Sequence, residues 1–297
     1  MILPAEIIEP LRKVLGAAGD AGDIRQVTPV TGGCINHAVR LETTRRVYLL
    51  KWNQRPIAGM FTCEVEGLRL LSATHTVRIP EIIGIWEGSP SLIVLEFIES
   101  PLSKNGWNQE QLGTQLAELH LKSSKTPGQR YGLAKDNFLG SSPQPNGWQA
   151  DWITFFREQR LAPQMRLAQN NDRLPPTRAC LLERLMDRLP DLLGSHHVPS
   201  LLHGDLWSGN VIADPEGTPV LIDPAVYYGN REAEIAYTEL FGGFMQRFYQ
   251  AYERVWPLDP GYPERRDIYN LYHLLNHLNL FGETYGSHVD AILRYYG

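Results

Sequence analysis

The sequence predicts an α+β fold with two lobes, a smaller N-terminal lobe built on an antiparallel sheet with helix and a larger, mainly helical C-terminal lobe. Short apolar or alternating segments, typical of strands, recur between residues 24 and 98. From residue 108 onward, apolar residues recur at helical spacing over longer segments. A cluster that breaks regular structure, Glu99-Ser100-Pro101, separates the two patterns. We therefore expect domains of residues 1–99 and 100–297.

Composition narrows the class of protein. The chain has 297 residues, of which 43% are hydrophobic and 21% charged, as is ordinary for a globular protein with room for two lobes. The formal net charge is −5, and no run of Lys and Arg forms a basic tract. A function in binding nucleic acid is therefore not expected.

Cysteine content and the N-terminal sequence indicate a cytoplasmic protein that does not enter a membrane. Cys34, Cys63 and Cys180 are too few and too unevenly spaced for a disulfide framework or a zinc site, which favours a reducing compartment. Two acidic residues precede the first basic one, unlike a secretory signal. The longest apolar run, residues 92–98, contains Glu96 and is far too short to span a bilayer.

The predicted N-terminal lobe begins with an amphipathic helix and continues mainly as strands. Residues 5–15 place Ile7, Ile8 and Leu11 on one helical face. Further apolar segments predict strands over residues 24–30, 38–42, 47–52, 82–86 and 92–98, and a second helix over residues 60–73. The last strand leads into residues 99–101, which we interpret as the hinge between the lobes.

A glycine pair joins the first two strands. Gly32-Gly33, with Cys34 and Asn36 following, lies where the backbone N–H groups of a strand–turn–strand flap can approach phosphates, because glycine has no Cβ. A glycine pair alone is a weak signal, since many hairpin glycines only form the turn. Its position directly before the strand that carries Lys51 favours the phosphate-binding interpretation.

Lys51 ends an apolar run, so it is expected near the end of a buried strand. Such a lysine either extends its ammonium group to the edge of the lobe or pairs with phosphates and with a carboxylate from the next helix. Glu64 and Glu66 are the candidates, and positions two apart on a helix face different ways. Glu64 lies on the side of Phe61 and Leu68, so we expect Glu64 to be the partner and Glu66 to be solvated.

The predicted C-terminal lobe consists mainly of helices, over residues 108–122, 151–169 with a bend near Pro163, 177–193, 230–249, 264–285 and 287–296. Asn230 is the expected cap of the fourth, with Glu232 and Glu234 in its first turn. Residues 123–147 form a long polar insert of the kind that often binds ligands, and Trp148 at its edge is a candidate substrate contact. The histidines are expected to be packing or surface residues, namely His120, His273, His277 and His288.

The candidate catalytic and metal-binding residues lie in two segments. These are His203-Gly204-Asp205-Leu206-Trp207-Ser208-Gly209-Asn210 and, further along the chain, Ile222-Asp223. Phosphoryl transfer from ATP needs a carboxylate that accepts the proton of the attacking hydroxyl, and oxygen ligands that hold Mg²⁺ against the phosphates. Asp205 suits the first task, and Asn210 with Asp223 suits the second. Each residue alone is common in surface turns, but the whole pattern indicates a kinase site.

The segments HGDLWSGN and IDPAVYYGNREAE resemble the fructosamine kinase, or ketosamine-3-kinase, family, relatives of the aminoglycoside and choline kinases with a protein-kinase-like fold. The pair Trp207-Ser208 is the specific part, because the rest of the loop pattern is shared by the wider superfamily. The spacing from Phe61 to Glu64 and the aromatic-rich stretch after Asn146 extend the resemblance over nearly the whole chain.

The resemblance implies phosphorylation by ATP and Mg²⁺ of the 3-hydroxyl of a ketosamine, the rearranged product of a sugar and a primary amine. The substrate would be a small molecule or a glycated lysine, and the activity a form of deglycation repair. The implied nucleotide-binding residues are Gly32, Gly33, Cys34, Asn36, Lys51, Glu64, Glu96, Phe97 and Ile98. The implied substrate contacts are Trp207, His203 and Trp148.

Departures from protein kinases limit the comparison. Asp223 is followed by Pro224-Ala225, with no Phe, and no Ala-Pro-Glu sequence closes an activation segment. Regulation by phosphorylation of such a segment is therefore not expected.

Two other classes of protein stay open, as does the oligomeric state. A kinase of another small alcohol, such as an aminoglycoside, choline or homoserine, would share Asp205, Asn210 and Asp223, whereas a non-catalytic nucleotide-binding protein would usually have lost an acidic residue. The chain is expected to be a monomer, or a homodimer linked through Cys34. A thiolate near phosphates would be oxidisable, but Cys34 is equally expected to be a small buried residue.

Overall fold

The computed structural model describes residues 3–30, 36–100, 106–126, 128–195 and 197–297. Within them the strands are β1 (Ile24–Pro29), β2 (His37–Thr43), β3 (Val47–Asn53), β4 (Ile82–Trp86), β5 (Ser91–Glu96), β6 (Asn137–Leu139), β7 (Ser142–Gln144), β8 (Pro199–Leu202), β9 (Val211–Ala213), β10 (Pro219–Leu221) and β11 (Tyr227–Asn230). The helices are α1 (Ala5–Ala17), α2 (Met60–Ser72), α3 (Gln109–Ser123), α4 (Trp152–Phe155), α5 (Ala162–Asn170), α6 (Pro176–Leu193), α7 (Arg231–Leu240), α8 (Gln246–Val255), α9 (Tyr262–Phe281) and α10 (Gly286–Tyr296).

The chain divides into two compact units. The first consists of Met1–Asn108 with Gly209–Pro224, and the second of Gln109–Ser208 with Ala225–Gly297. Segment 209–224 joins the first unit through β10, where the Leu221 N–H donates to the carbonyl oxygen of Arg78 at 3.0 Å. The division of the sequence at residues 99 and 100 stays a prediction.

The first unit is built on a five-stranded antiparallel sheet in the order β1-β2-β3-β5-β4. One face packs against α1, with Leu50 and Trp52 in that core, and the other packs against α2. Because successive side chains of a strand point to opposite faces, Leu49 and Lys51 lie on the α2 side. The predicted strands are confirmed, and their ends differ from the prediction by at most two residues.

The second unit is mainly helical, as predicted, but two of its helices differ from the sequence prediction. The prediction of one continuous helix over residues 230–249 is wrong, because α7 ends at Leu240 and α8 begins at Gln246. Gly242 and Gly243 between them have φ angles of 71° and 93°, which end a helix and suit glycine. The bend expected near Pro163 is a π-helical segment, Phe156–Leu161, that joins α4 to α5.

Short strands that were not predicted lie next to segment 203–210 and within the polar insert. β8 pairs with β11 in antiparallel register, with Leu202 opposite Tyr227. The insert is partly regular, because β6 and β7 form a hairpin within it. In the described part of the chain, no helix has the length and apolar content of a bilayer span.

Gly113 allows close packing of α3 against α8. A Cβ at Gly113 would lie 2.2 Å from the Phe248 carbonyl oxygen. We therefore expect Gly113→Ala to lower the free energy of unfolding by about 1–3 kcal/mol, measured by urea denaturation. Gly16→Ala in α1 is the matched control, because no atom lies within 4 Å of the added Cβ and alanine favours the helix. Equal effects of the two substitutions would contradict this account of the packing.

Candidate active site

A buried ammonium group organises the polar residues of the first unit. The side chain of Lys51 on β3 is 10% exposed, and its Nζ donates to Glu64 Oε1 on α2 at 2.8 Å. The same Nζ also donates to the carboxylate of Asp223, which follows β10. The predicted pairing of Lys51 with Glu64 is therefore present, and Asp223 joins it.

The charges of this cluster do not balance. Burial alone would lower the pKa of Lys51, but the carboxylates of Asp223 and Glu64 raise that pKa above its usual value, so the ammonium group stays charged. Two carboxylates therefore contact one cation, and burial raises the pKa of Glu64 although Lys51 opposes this. The Asp223 side chain is 42% exposed, which leaves part of its carboxylate open to a second cation.

A hairpin brings Asn210 close to Asp223. β9 pairs with β10 so that Val211 lies opposite Leu221, and the Ile222 N–H donates to the Asn210 carbonyl oxygen at 3.1 Å. Asp223 has a φ of 55°, a left-handed conformation that is uncommon for residues other than glycine and concentrates at functional sites. Carboxylate and amide oxygens are hard donors, so this pair fits the coordination chemistry of Mg²⁺.

Three of the predicted nucleotide-binding residues lie at the end of β5 or directly after it. The Glu96 carboxylate accepts from Arg78 at 2.9 Å and from the Glu81 N–H at 3.0 Å. Phe97 lies under the guanidinium of Arg40, 5.5 Å from it. Ile98 is buried. Their roles toward adenine stay predictions.

The other predicted nucleotide-binding residues precede β2. Asn36 accepts from Asn53 Nδ2 at 3.1 Å, which fixes its amide beside the end of β3. Gly32, Gly33 and Cys34 lie outside the described residues.

In the second unit, Asp205 lies in a closely packed loop. Gly204, with a φ of 82°, could not carry a side chain, because a Cβ there would lie 2.0 Å from the Ala225 carbonyl oxygen. The Ala225 N–H in turn donates to the His203 carbonyl oxygen at 2.8 Å. The loop is thus held against the segment that follows Pro224.

Tyr237 on α7 holds the side chain of Asp205, and the sequence analysis missed it. Its hydroxyl donates to Asp205 Oδ1 at 3.1 Å, and its ring stacks on His273 with centroids 3.5 Å apart. Burial and the neighbouring Asp205 raise the pKa of Tyr237 well above its usual value, so the phenol remains a donor at neutral pH. The sequence carried one signal, because Glu234 and Tyr237 are three apart and so share a helical face.

Glu234 holds the backbone of the same loop. The Gly204 N–H donates to Glu234 Oε1 at 2.7 Å, and His120 Nε2 lies 2.9 Å from Glu234 Oε2. Burial lowers the pKa of His120, and hydrogen bonds from His120 and Gly204 lower the pKa of Glu234 although burial opposes this. The neutral imidazole therefore donates from Nε2, and its Nδ1 accepts from the Tyr252 hydroxyl at 2.8 Å. The prediction that His120 is a packing residue is confirmed.

The three predicted substrate contacts lie in the second unit and differ in exposure. His203 is fully buried, and its Nδ1 accepts from the Asp205 N–H at 3.3 Å. Trp207 is 39% exposed. Trp148 is half-buried, and its ring lies 6.2 Å from that of Tyr228. Their contacts with substrate stay predictions.

The fold has counterparts among solved structures. A thermostable mutant of an aminoglycoside phosphotransferase, solved in ternary complex with AMP-PNP and hygromycin B, is 21% identical with a TM-score of 0.62, covering 96% of this chain and 97% of that one. At this identity the likeness shows the protein-kinase-like fold alone.

Sequence comparison gives the family. Residues 8–296 match the family model described as fructosamine kinase, and the chain belongs to that family. A "probable ketoamine kinase" of Enterococcus faecium is 43% identical over 270 residues, which are 90% of this chain and 94% of the relative. The crystal structure of a "putative fructosamine-3-kinase" from Haemophilus somnus has a TM-score of 0.85 at 30% identity and covers 96% of each chain.

Removing the buried ammonium group should destabilise the first unit. In Lys51→Met, Glu64 stays buried beside Asp223 without a cation, and we expect the free energy of unfolding to fall by about 3–5 kcal/mol in urea denaturation. Lys51→Met combined with Glu64→Leu removes the uncompensated charge and should recover most of that loss.

Lys13→Met is the control for this series. Its partner Glu9 and Lys13 itself are largely exposed, with side chains 78% and 56% accessible, so the urea midpoint should not change. A double variant as unstable as Lys51→Met alone would contradict the charge account.

Tyr237→Phe should slow catalysis because it removes a hydrogen bond to a charged group, Asp205. We expect kcat to fall by about 10- to 100-fold while the KM for nucleotide stays unchanged. Tyr262→Phe is the matched control, since that hydroxyl donates to Glu239 at 2.6 Å elsewhere in the second unit, and kcat should be retained. A rise in the nucleotide KM without loss of kcat would argue against a positioning role.

Proposed function

We propose that this protein is an ATP- and Mg²⁺-dependent kinase that phosphorylates the 3-hydroxyl of ketosamines, a deglycation activity. The observation that carries the proposal is the buried Lys51, paired with both Glu64 and Asp223 in a chain of the fructosamine kinase family. A charged lysine fixed by a helical glutamate is what protein-kinase-like enzymes use to bind the phosphates of ATP.

In this proposal, the N-terminal ATP-binding lobe, residues 1–99, holds the nucleotide. Lys51 binds the phosphates, and Glu64 fixes its position. The backbone at Glu96, Phe97 and Ile98 binds the adenine edge. Gly32, Gly33, Cys34 and Asn36 are proposed, from the sequence, to contact the phosphates. The AMP-PNP bound by the aminoglycoside phosphotransferase of the same fold supports ATP as the phosphoryl donor.

Asp223 and Asn210 would hold Mg²⁺. The pair offers a carboxylate that is partly exposed and an amide 6% exposed, both hard oxygen donors, and the excess negative charge beside Lys51 favours a second cation. When bound, the metal neutralises charge on the phosphates.

Asp205 is the proposed catalytic base of the C-terminal lobe, which we propose holds the substrate. Its carboxylate accepts the proton of the substrate hydroxyl as the oxygen attacks the terminal phosphorus of ATP, and the bond from that phosphorus to the bridging oxygen breaks to release ADP. Tyr237 orients this carboxylate from one side. Catalysis then depends mostly on positioning and on stabilising charge, since the protein forms no covalent intermediate.

The proposed substrates are low-molecular-weight ketosamines and glycated lysine, with contacts from Trp207, His203 and Trp148. The names of the relatives, ketoamine kinase and fructosamine-3-kinase, support this class.

The proposal also includes a cytoplasmic location, no nucleic acid or membrane partner, and a monomer or a homodimer linked through Cys34. A non-reducing gel without a Cys34-dependent dimer under mild oxidation would count against the linked form.

The test is Mg²⁺-dependent ADP release with fructosamines, ribulosamines, aminoglycosides and choline, with the products identified by mass. We expect turnover of the ketosamines, and a loss of about 10²- to 10⁴-fold in kcat for Asp205→Asn. Asp187→Asn, an exposed change on α6, is the matched control and should keep full activity. Turnover of only another alcohol would overturn the substrate class.

A further inference from the structure

Exposed aromatic rings lie on the second unit close to Asp205. Phe241 at the end of α7 and Phe281 at the end of α9 are 41% and 53% exposed, although large apolar side chains normally leave water on folding. Together with His277 and Tyr285 they form one cluster, with ring centroids 5.0 to 6.5 Å apart. We call these four side chains the aromatic wall.

Tyr237 connects the aromatic wall to Asp205. Its hydroxyl donates to Asp205 Oδ1 at 3.1 Å, and its ring meets that of Phe241 edge to face, with centroids 5.9 Å apart. Tyr237 therefore contacts both the proposed catalytic base and one ring of the aromatic wall.

The loop that presents Phe241 is fixed in place. Gln109 is fully buried, and its Nε2 donates to the Gly243 carbonyl oxygen at 3.2 Å. Its Oε1 accepts from the Met245 N–H at 2.9 Å. Both ends of the side-chain amide thus hold the turn between α7 and α8, so Phe241 is presented by an ordered backbone. A binding surface that is ordered in advance loses less conformational entropy when a ligand binds.

The aromatic wall carries no positive charge at neutral pH. Burial lowers the pKa of His277, although the hydrogen bond that its Nδ1–H donates to the His273 carbonyl oxygen at 2.8 Å opposes this. The nitrogen of a ketosamine is a secondary amine that carries a proton at neutral pH. Aromatic faces attract such a cation, and their apolar surface suits the carbon groups attached to it.

We propose that the aromatic wall binds the apolar substituent on the amine nitrogen of the ketosamine, whether an aromatic group or the methylene chain of a lysine. The inference rests on the proposed function, since it places the sugar hydroxyl at Asp205. Three carbon atoms separate the oxygen at C3 from the nitrogen at C1. The nitrogen and its substituent therefore stay close to the hydroxyl that faces Asp205.

Two ketosamines with the same fructose part test the inference, one with a methyl and one with a benzyl group on nitrogen. For Phe241→Ala and Phe281→Ala, we expect the ratio of kcat/KM for the benzyl to that for the methyl compound to fall about tenfold relative to the unmodified protein. Phe281 is the cleaner site, because Phe241 also contacts Tyr237. Tyr295→Ala, an 80% exposed aromatic on α10, is the control and should leave the ratio unchanged.

Each other outcome has a definite meaning. An unchanged ratio in both variants, or equal loss on both compounds, overturns the inference while the ketosamine kinase activity stands. A change in sedimentation coefficient without a change in the ratio overturns it in favour of a contact between copies of the chain. If the unmodified protein phosphorylates neither compound and neither of the matching ribulosamines, the proposed function fails, and this inference fails with it.

Discussion

The second unit depends on one buried carboxylate, that of Glu234. An unpaired charge in a protein interior costs several kcal/mol, so each oxygen of this carboxylate needs a donor. One donor is the backbone of Gly204, and the other is His120, whose far nitrogen is satisfied by Tyr252. The requirement to satisfy one charge thereby fixes the loop of Asp205, α3, α7 and α8 with respect to one another.

The first unit also depends on one buried charge that needs partners, but this charge is positive. Its buried charge is the ammonium group of Lys51, and its partners come from α2 and from the hairpin of β9 and β10. This pairing explains why segment 209–224 belongs to the first unit although most of its sequence neighbours lie in the second. Asp223 adopts a φ of 55° there, so its position rests on the charge pair and the hairpin against an unfavourable backbone conformation.

Much of this structure could be predicted from local sequence patterns, but the contacts between residues distant in sequence could not. The strands of the first unit and the partner of Lys51 followed from alternation and helical spacing, since each depends on neighbours in sequence. Glu234 was interpreted only as an acidic residue in the first turn of a helix. Its partners Gly204 and His120 lie 30 and 114 residues earlier in the chain, and no periodicity within α7 reports those distances. Gly242-Gly243 indicated the break after Leu240, but apolar residues at helical spacing on both sides favoured one continuous helix.

Glu234 and Tyr237 lie on one turn of α7, and this has a consequence for the lifetime of the loop. The first holds the backbone of Gly204 and the second the side chain of Asp205, so neither contact can be lost alone by a movement of the helix. The Gly204 amide hydrogen is fully engaged with a buried carboxylate. It can exchange with solvent deuterium only when this contact opens, so exchange at Gly204 reports how often the loop separates from α7.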